Sequence, residues 1–232
     1  MPHGQNQLLG SLSSDVLARL KPHLKVMEMV QGHVIYEAGQ TINRVYFLHS
    51  GAVSLVVELQ NGEMIEAAMV GKDSIVGGAS ALNGRISLCK ALVQVHGSAS
   101  SLEVEMLREV ARNSEAFRTS LIRHEQVILA QAQQSAACNA AHTVEARLAR
   151  WLLRTRDLTG GNALALTQEF LAEMLGGAAH QRFSRRPHSS AGGPHQIQPR
   201  PYHHYRPGRP ARGCLRVLRD GQAHYGRLLQ GQ

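Results

Sequence analysis

The stretch Arg44–Val70, "RVYFLHSGAVSLVVELQNGEMIEAAMV", decides the fold. Short runs of β-branched, aromatic and aliphatic residues are punctuated by Ser50-Gly51 and Asn61-Gly62. Such runs suit a pleated, half-buried surface. Asn-Gly supplies the positive φ angles that a tight hairpin needs. Working outward, Gly32, Gly39, Gly51, Gly62, Gly71, Gly77-Gly78, Gly84 and Gly97 recur every 6–13 residues from Val30 to about Leu102. Several short strands at that spacing predict an antiparallel barrel or roll. Before them, residues 12–26, "LSSDVLARLKPHLKV", predict a short amphipathic helix with Ser or Asp near its start.

The pattern changes at Glu103. "VEMLREVARNSEAFRTSLIRHEQVILAQAQQSAA" contains neither Pro nor Gly and predicts a long helix. Phe117, Leu121, His124, Ile128, Gln131 and Ser135 follow 4-3 spacing. That spacing is the signature of a self-pairing seam, with Phe117, Leu121, His124 and Ile128 as its contacts. A stripe that packs on the roll is the other reading of the same spacing. "HTVEARLARWLLRTRDL" then predicts a helix with Val144, Leu148, Trp151 and Leu152 on one side, and Thr167 opens another, to Leu175. The chain thus divides into a β-roll (1–106), a self-pairing, dimerisation helix (107–137) and a C-terminal domain (138–232).

Composition restricts the function. The apolar share of 43% is that of a soluble globular protein. No run of about 18 apolar residues is present, so no membrane partner is expected. The N-terminus carries neither a basic start nor an apolar segment of an export signal. Cys89, Cys138 and Cys214 are odd in number and widely spaced, which predicts neither disulfides nor a metal site and fits a cytoplasmic location. No nucleophile triad, phosphate loop or carboxylate pair stands out, so the chain is expected not to be an enzyme and to need no cofactor. The net charge of +8 is not spread over the chain. Residues 177–222 hold nine Arg and one Asp, a net of +8; the rest holds 16 basic and 16 acidic residues. Global basicity is therefore no independent sign of a nucleic-acid partner.

The order of roll, long helix and then "LTQEFLAEMLG" resembles the Crp/Fnr family of bacterial transcription regulators. Its most specific part is Thr167-Gln168 with Leu171, Ala172 and Leu175-Gly176, similar to the first helix of that family's helix-turn-helix. The resemblance implies an α+β chain: an antiparallel, cyclic-nucleotide-binding-like jelly roll, a dimerising helix and a winged helix-turn-helix. It further implies a homodimer, DNA and RNA polymerase as partners, and phosphate contacts from Thr167 and Gln168.

The second helix of that motif, which enters the major groove, should follow Gly176. In its place stands "GAAHQRFSRRPHSSAGGPHQIQPRPYHHYRPGRPARG", rich in Arg, His and Pro. Arg182, Arg185 and Arg186 bring charge to the right place without an established helix. Read one base out of frame, Gly177–Ser184 permits Val-Arg-Arg-Thr-Ser-Val-Ser, similar to the family's recognition-helix opening. Tyr202–Arg206 is forced to four residues of Ile or Thr, good strand material for a wing. Residues 177–222 are therefore read as a frame-shifted recognition helix and wing, leaving the motif incomplete and DNA reading impaired. The composition alone also admits an Arg/Pro-rich disordered tail on a small-molecule sensor that does not bind DNA.

Members of the family that bind cyclic nucleotides carry a Gly-Glu pair for the ribose and an Arg followed by small residues for the phosphate. Here Arg85 stands at the phosphate position, Gly78 where the carboxylate is expected, and Ile86 where a small residue is expected. Arg85 is the candidate ligand-binding residue, in a weak nucleotide site.

Sequencing the gene from the codon for Gly176 to that for Ala223 is expected to reveal a one-base insertion near Gly177 and a compensating loss near Gln222. An unchanged frame overturns the frame-shift reading.

Overall fold

The computed structural model describes residues 6–159. Two short helices open it, α1 (Gln7–Gly10) and α2 (Ser14–Leu20), followed by a 3-10 turn at Lys21–His23. Asn6 anchors this start. It is fully buried, its Oδ1 accepts from Leu9 N, and its Nδ2 donates to Leu48 O and Ser74 O. Ser13 caps α2 as the sequence suggests, and Val16 and Leu20 turn into the core.

Eight strands follow: β1 (Lys25–Met29), β2 (Val34–Tyr36), β3 (Arg44–Leu48), β4 (Ala52–Glu58), β5 (Met64–Val70), β6 (Ile75–Val76), β7 (Lys90–Val95) and β8 (Gly97–Glu103). They form two four-stranded sheets, ordered β1-β8-β3-β6 (sheet A) and β2-β7-β4-β5 (sheet B), with every pair antiparallel. The expected antiparallel roll is thus present. Its core gathers Val45, Phe47 and Leu48 of β3, Val53 of β4, Ala91 and Val93 of β7, and Ala99 and Leu102 of β8.

The hairpin at Asn61-Gly62 differs in detail from the expected two-residue turn. Gly62 alone has positive φ (81°); Leu59 N–H donates to Glu63 O and Gly62 N–H to Leu59 O. Asn61 instead spends its side chain, Oδ1 accepting from Glu63 N. The longer loop ending in a left-handed Gly satisfies the twist as well as the tighter turn does.

The long apolar-periodic segment is two helices, α3 (Val104–Asn113) and α4 (Glu115–Ala141), broken at Ser114. Ser114 is extended (φ −140°) and its side chain accepts from Phe117 N, so it caps the second helix. Arg118 Nη1 donates back to Ala111 O and closes the end of α3. Neither Pro nor Gly was needed for this break, which is why the sequence reads as continuous.

The stripe on α4 packs on the roll, the second of the two readings that its spacing allows. Phe117 and Leu121 are 1% and 0% exposed and belong to the core of the chain's own roll; His124 is buried, and Ile128 packs against that core. Phe117, Leu121 and His124 are covered by the chain's own roll, and Ile128 is covered in part. Helical spacing reports that a stripe is covered, and the roll covers this one. Two of its polar members explain themselves: His124 Nε2 accepts from Ile75 N (3.3 Å) and Gln131 Oε1 from Met69 N (3.2 Å). Both donors lie on strands at sheet edges, β6 and β5. Helix α5 (Val144–Thr159) then returns over sheet B, where Trp151 and Leu158 pack on Ala52 and Met69.

Candidate functional site

The segment that would face a nucleotide phosphate is a 3-10 turn, Gly78–Leu82, bounded by left-handed residues Gly77 (φ 84°) and Asn83 (φ 75°). After it Arg85 runs antiparallel to residue 42, with Ile42 N donating to Arg85 O, and Thr41 bridges to Ile86. The Arg85 guanidinium lies in a cleft of about 260 Å³ lined by Thr41, Ile42, Asn43, Arg85, Glu103, Val104 and Glu105. Its Nη2 donates to Glu105 Oε1 at 2.9 Å, both side chains being more than half exposed. An exposed pair of this kind contributes about 0–1 kcal/mol. Arg85 is thus held at the surface by an acid of α3.

A second arginine, which the sequence reading did not single out, does the structural work at this turn. Arg108 of α3 is 5% exposed. Its Nε donates to Ser80 O (2.9 Å), with Nη2 near Asn83 Oδ1 (3.4 Å) and Nη1 near Glu105 (3.5 Å). The planar guanidinium spans turn and helix at once, which a single ammonium does not.

Gly78 occupies the place where the nucleotide-binding pattern has a carboxylate, and α4 fills the space beside it. A Cβ there would sit 2.9 Å from Glu125 Oε1, 2.9 Å from Ile75 Cγ2 and 3.5 Å from His124 Nδ1. With Nε2 accepting from Ile75, Nδ1 is the ring nitrogen left to donate to Glu125 Oε1, 3.2 Å away. Any side chain at 78 must displace this pair.

On the far side of the roll, α5 and sheet B make a polar contact that sequence reasoning also missed. Glu66 Oε2 accepts from Trp151 Nε1 (3.0 Å) and from Ser54 Oγ. Arg154 Nη2 donates to Asp73 Oδ2 (2.8 Å) and Arg150 Nη2 to Ser135 Oγ (3.1 Å). Burial pushes the Glu66 carboxyl up from its usual range, against hydrogen bonds from Ser54 and Trp151 and the charges of Arg150 and Arg154. The available signal was one acid inside the apolar run "MIEAAMV" and one Trp in the whole chain.

Among the described residues no three His, Cys, Asp or Glu side chains gather as a metal site would require, and no helix is long and apolar enough to cross a membrane. Cys89 is half-buried and Cys138 buried. Thr167, Gln168, Arg182, Arg185 and Arg186, and the whole span 177–222, lie outside the described residues.

Residues 26–114 match the family model for the cyclic nucleotide-binding domain. No curated protein sequence matches the chain. Three solved structures share its architecture. A transcriptional regulator assigned to the Crp/Fnr family from Eubacterium rectale is 14% identical, covering 75% of this chain and 81% of its own at a TM-score of 0.59. The c-di-GMP responsive global regulator CLP of Xanthomonas campestris is 14% identical, covering 70% and 84% at 0.57. FixK2 from Bradyrhizobium japonicum is 17% identical, covering 70% and 83% at 0.57. Residues 26–114 thus match the cyclic nucleotide-binding domain, and the described part shares its fold with these solved regulators.

The geometry at Gly78 and Arg85 predicts that cyclic nucleotides do not saturate this roll. Calorimetric titration of cyclic AMP and cyclic GMP into the full chain should give dissociation constants weaker than about 1 mM. Micromolar binding, lost in Arg85→Ala, would show that Arg85 turns inward and that α4 yields at Gly78.

Proposed function

We propose that the chain is a homodimeric, DNA-binding transcription regulator of the Crp/Fnr type whose DNA reading is impaired. The observation that supports it most is the second face of α4. Opposite the stripe that the roll covers, Ile122, Gln126, Leu129, Gln133 and Ala136 are all exposed and follow 4-3 spacing. Ile122 is 47% and Leu129 58% exposed. A helix with one stripe in its own core and an aliphatic heptad stripe facing water is suited to pairing with a second copy of itself. This stripe replaces Phe117, Leu121, His124 and Ile128 as the pairing face. In the proposed dimer the C-terminal part reaches DNA, with Thr167 and Gln168 on phosphates and Arg182, Arg185 and Arg186 adding charge without base reading. RNA polymerase is the further partner that a regulator of this type serves.

Sedimentation of the full chain is expected to show a dimer. Ile122→Glu with Leu129→Glu should weaken it at least about 100-fold, since burial of each such side chain contributes about 1.5–3 kcal/mol, while leaving the far-UV spectrum unchanged. An undiminished dimer excludes this face.

DNA binding should be weak, equal for palindromic and scrambled duplexes, and steeply lost with salt, log K falling by about 0.9 per phosphate contact for each unit of log salt. Tight, sequence-selective binding overturns the impairment. No binding even at low salt overturns the regulator reading and favours a sensor roll with a basic tail, the reading that the +8 of residues 177–222 also allows.

A further inference from the structure

Helix α5 is attached to the roll by a contact unlike the rest of the interior. Its apolar part is small: Trp151 and Leu158 on Ala52 and Met69, with Val95 and Leu152 at the margin. Around it the seam is polar and incompletely satisfied. Gln131 Nε2, Asp73 Oδ1, Arg150 Nε and Arg154 Nε are buried and make no hydrogen bond. A buried polar atom left unpaired is costly, so these four offset part of what the small cluster contributes. A contact of small apolar area with unpaired polar atoms is suited to local opening.

At its centre stands one carboxyl group. Glu66 holds Trp151 from below, and Ser54 of β4 holds Glu66. We propose that α5 is a releasable latch: it closes on sheet B through the Glu66–Trp151 hydrogen bond and leaves the roll as a unit, so that a change at one carboxyl of the roll is passed into the C-terminal part of the chain. The service of this latch to DNA binding rests on the regulator reading above; the latch itself does not.

The groups facing Glu66 set how a proton acts on it. From α5 come Trp151 and the cations Arg150 and Arg154; from β4 comes Ser54. Asp73, the remaining acid, is occupied by Arg154, and α4 presents to this seam the uncharged Gln131 and Ser135. Because burial lifts the Glu66 carboxyl above its usual range when α5 is closed, the closed state binds a proton more readily than the open one. The proton therefore favours closure, and that contribution is lost as pH rises through the raised value.

Trp151 is the only tryptophan of the chain, so its emission reports this seam alone. The full chain should show a reversible change in emission between pH 5 and 9, with a midpoint above the usual carboxylate range. Over the same interval, amide exchange in α5, corrected for its intrinsic pH dependence, should rise about tenfold while β4, β5 and the first half of α4 keep their protection. Both dependences should vanish in Glu66→Gln, which keeps an acceptor for the indole N–H. Trp151→Phe, which removes the donor, should raise α5 exchange throughout. Emission that does not titrate, titration that persists in Glu66→Gln, or α5 exchanging in step with the strands each overturns the latch. Exchange that titrates while DNA affinity stays constant keeps the latch and overturns its service to DNA binding.

Discussion

Of the four edge strands of the two sheets, β5 on sheet B and β6 on sheet A are the ones that α4 meets. An edge strand offers unpaired N–H groups to whatever chain arrives, and a buried one left unsatisfied is costly. His124 and Gln131 accept from Ile75 and Met69 and close those positions within the chain. Much else follows from this placement. Phe117 and Leu121 enter the core because they share the face that carries the two acceptors. Residue 78 must lack a side chain because His124 and Glu125 lie against it. The opposite stripe of α4, with Ile122 and Leu129, is left to water. The end of α4 also brings Ser135 to meet Arg150 of α5.

The roll itself was legible in the sequence, since alternation and glycine spacing are local signals and the sheets obey them. Trp151 and Leu152 were likewise readable as one face of a helix. What covers a face is not a local property. The stripe on α4 has the same spacing whether a roll or a second helix lies over it, and only its polar members distinguish the two. His124 and Gln131 are poor residues for a dry seam but good ones for an open strand edge. The break at Ser114 escaped for a related reason. Serine is neutral within a helix and strong at its start, and here its side chain captures Phe117 N. Around the candidate site, Arg85 was found from a pattern of residue types, yet the pattern could not say which way it points. Glu105, twenty residues on, decides that. Arg108 and Glu66 had no local signature beyond being charges in apolar surroundings.

The clamp made by Arg108 has a mechanical consequence. The 3-10 turn and α3 are separated by about two turns of irregular chain and strands β7 and β8, so the backbone alone would let each move without the other. A guanidinium at 5% exposure, bonded to Ser80 O and directed at Asn83 and Glu105, removes that independence. Pulling the turn away would cost the buried guanidinium its acceptors Ser80 O and Asn83 Oδ1 and leave it only Glu105 of its own helix. The clamp therefore ties the Gly78–Leu82 turn to α3 through a side chain as well as through the backbone, and α3 ends at the joint of Ser114.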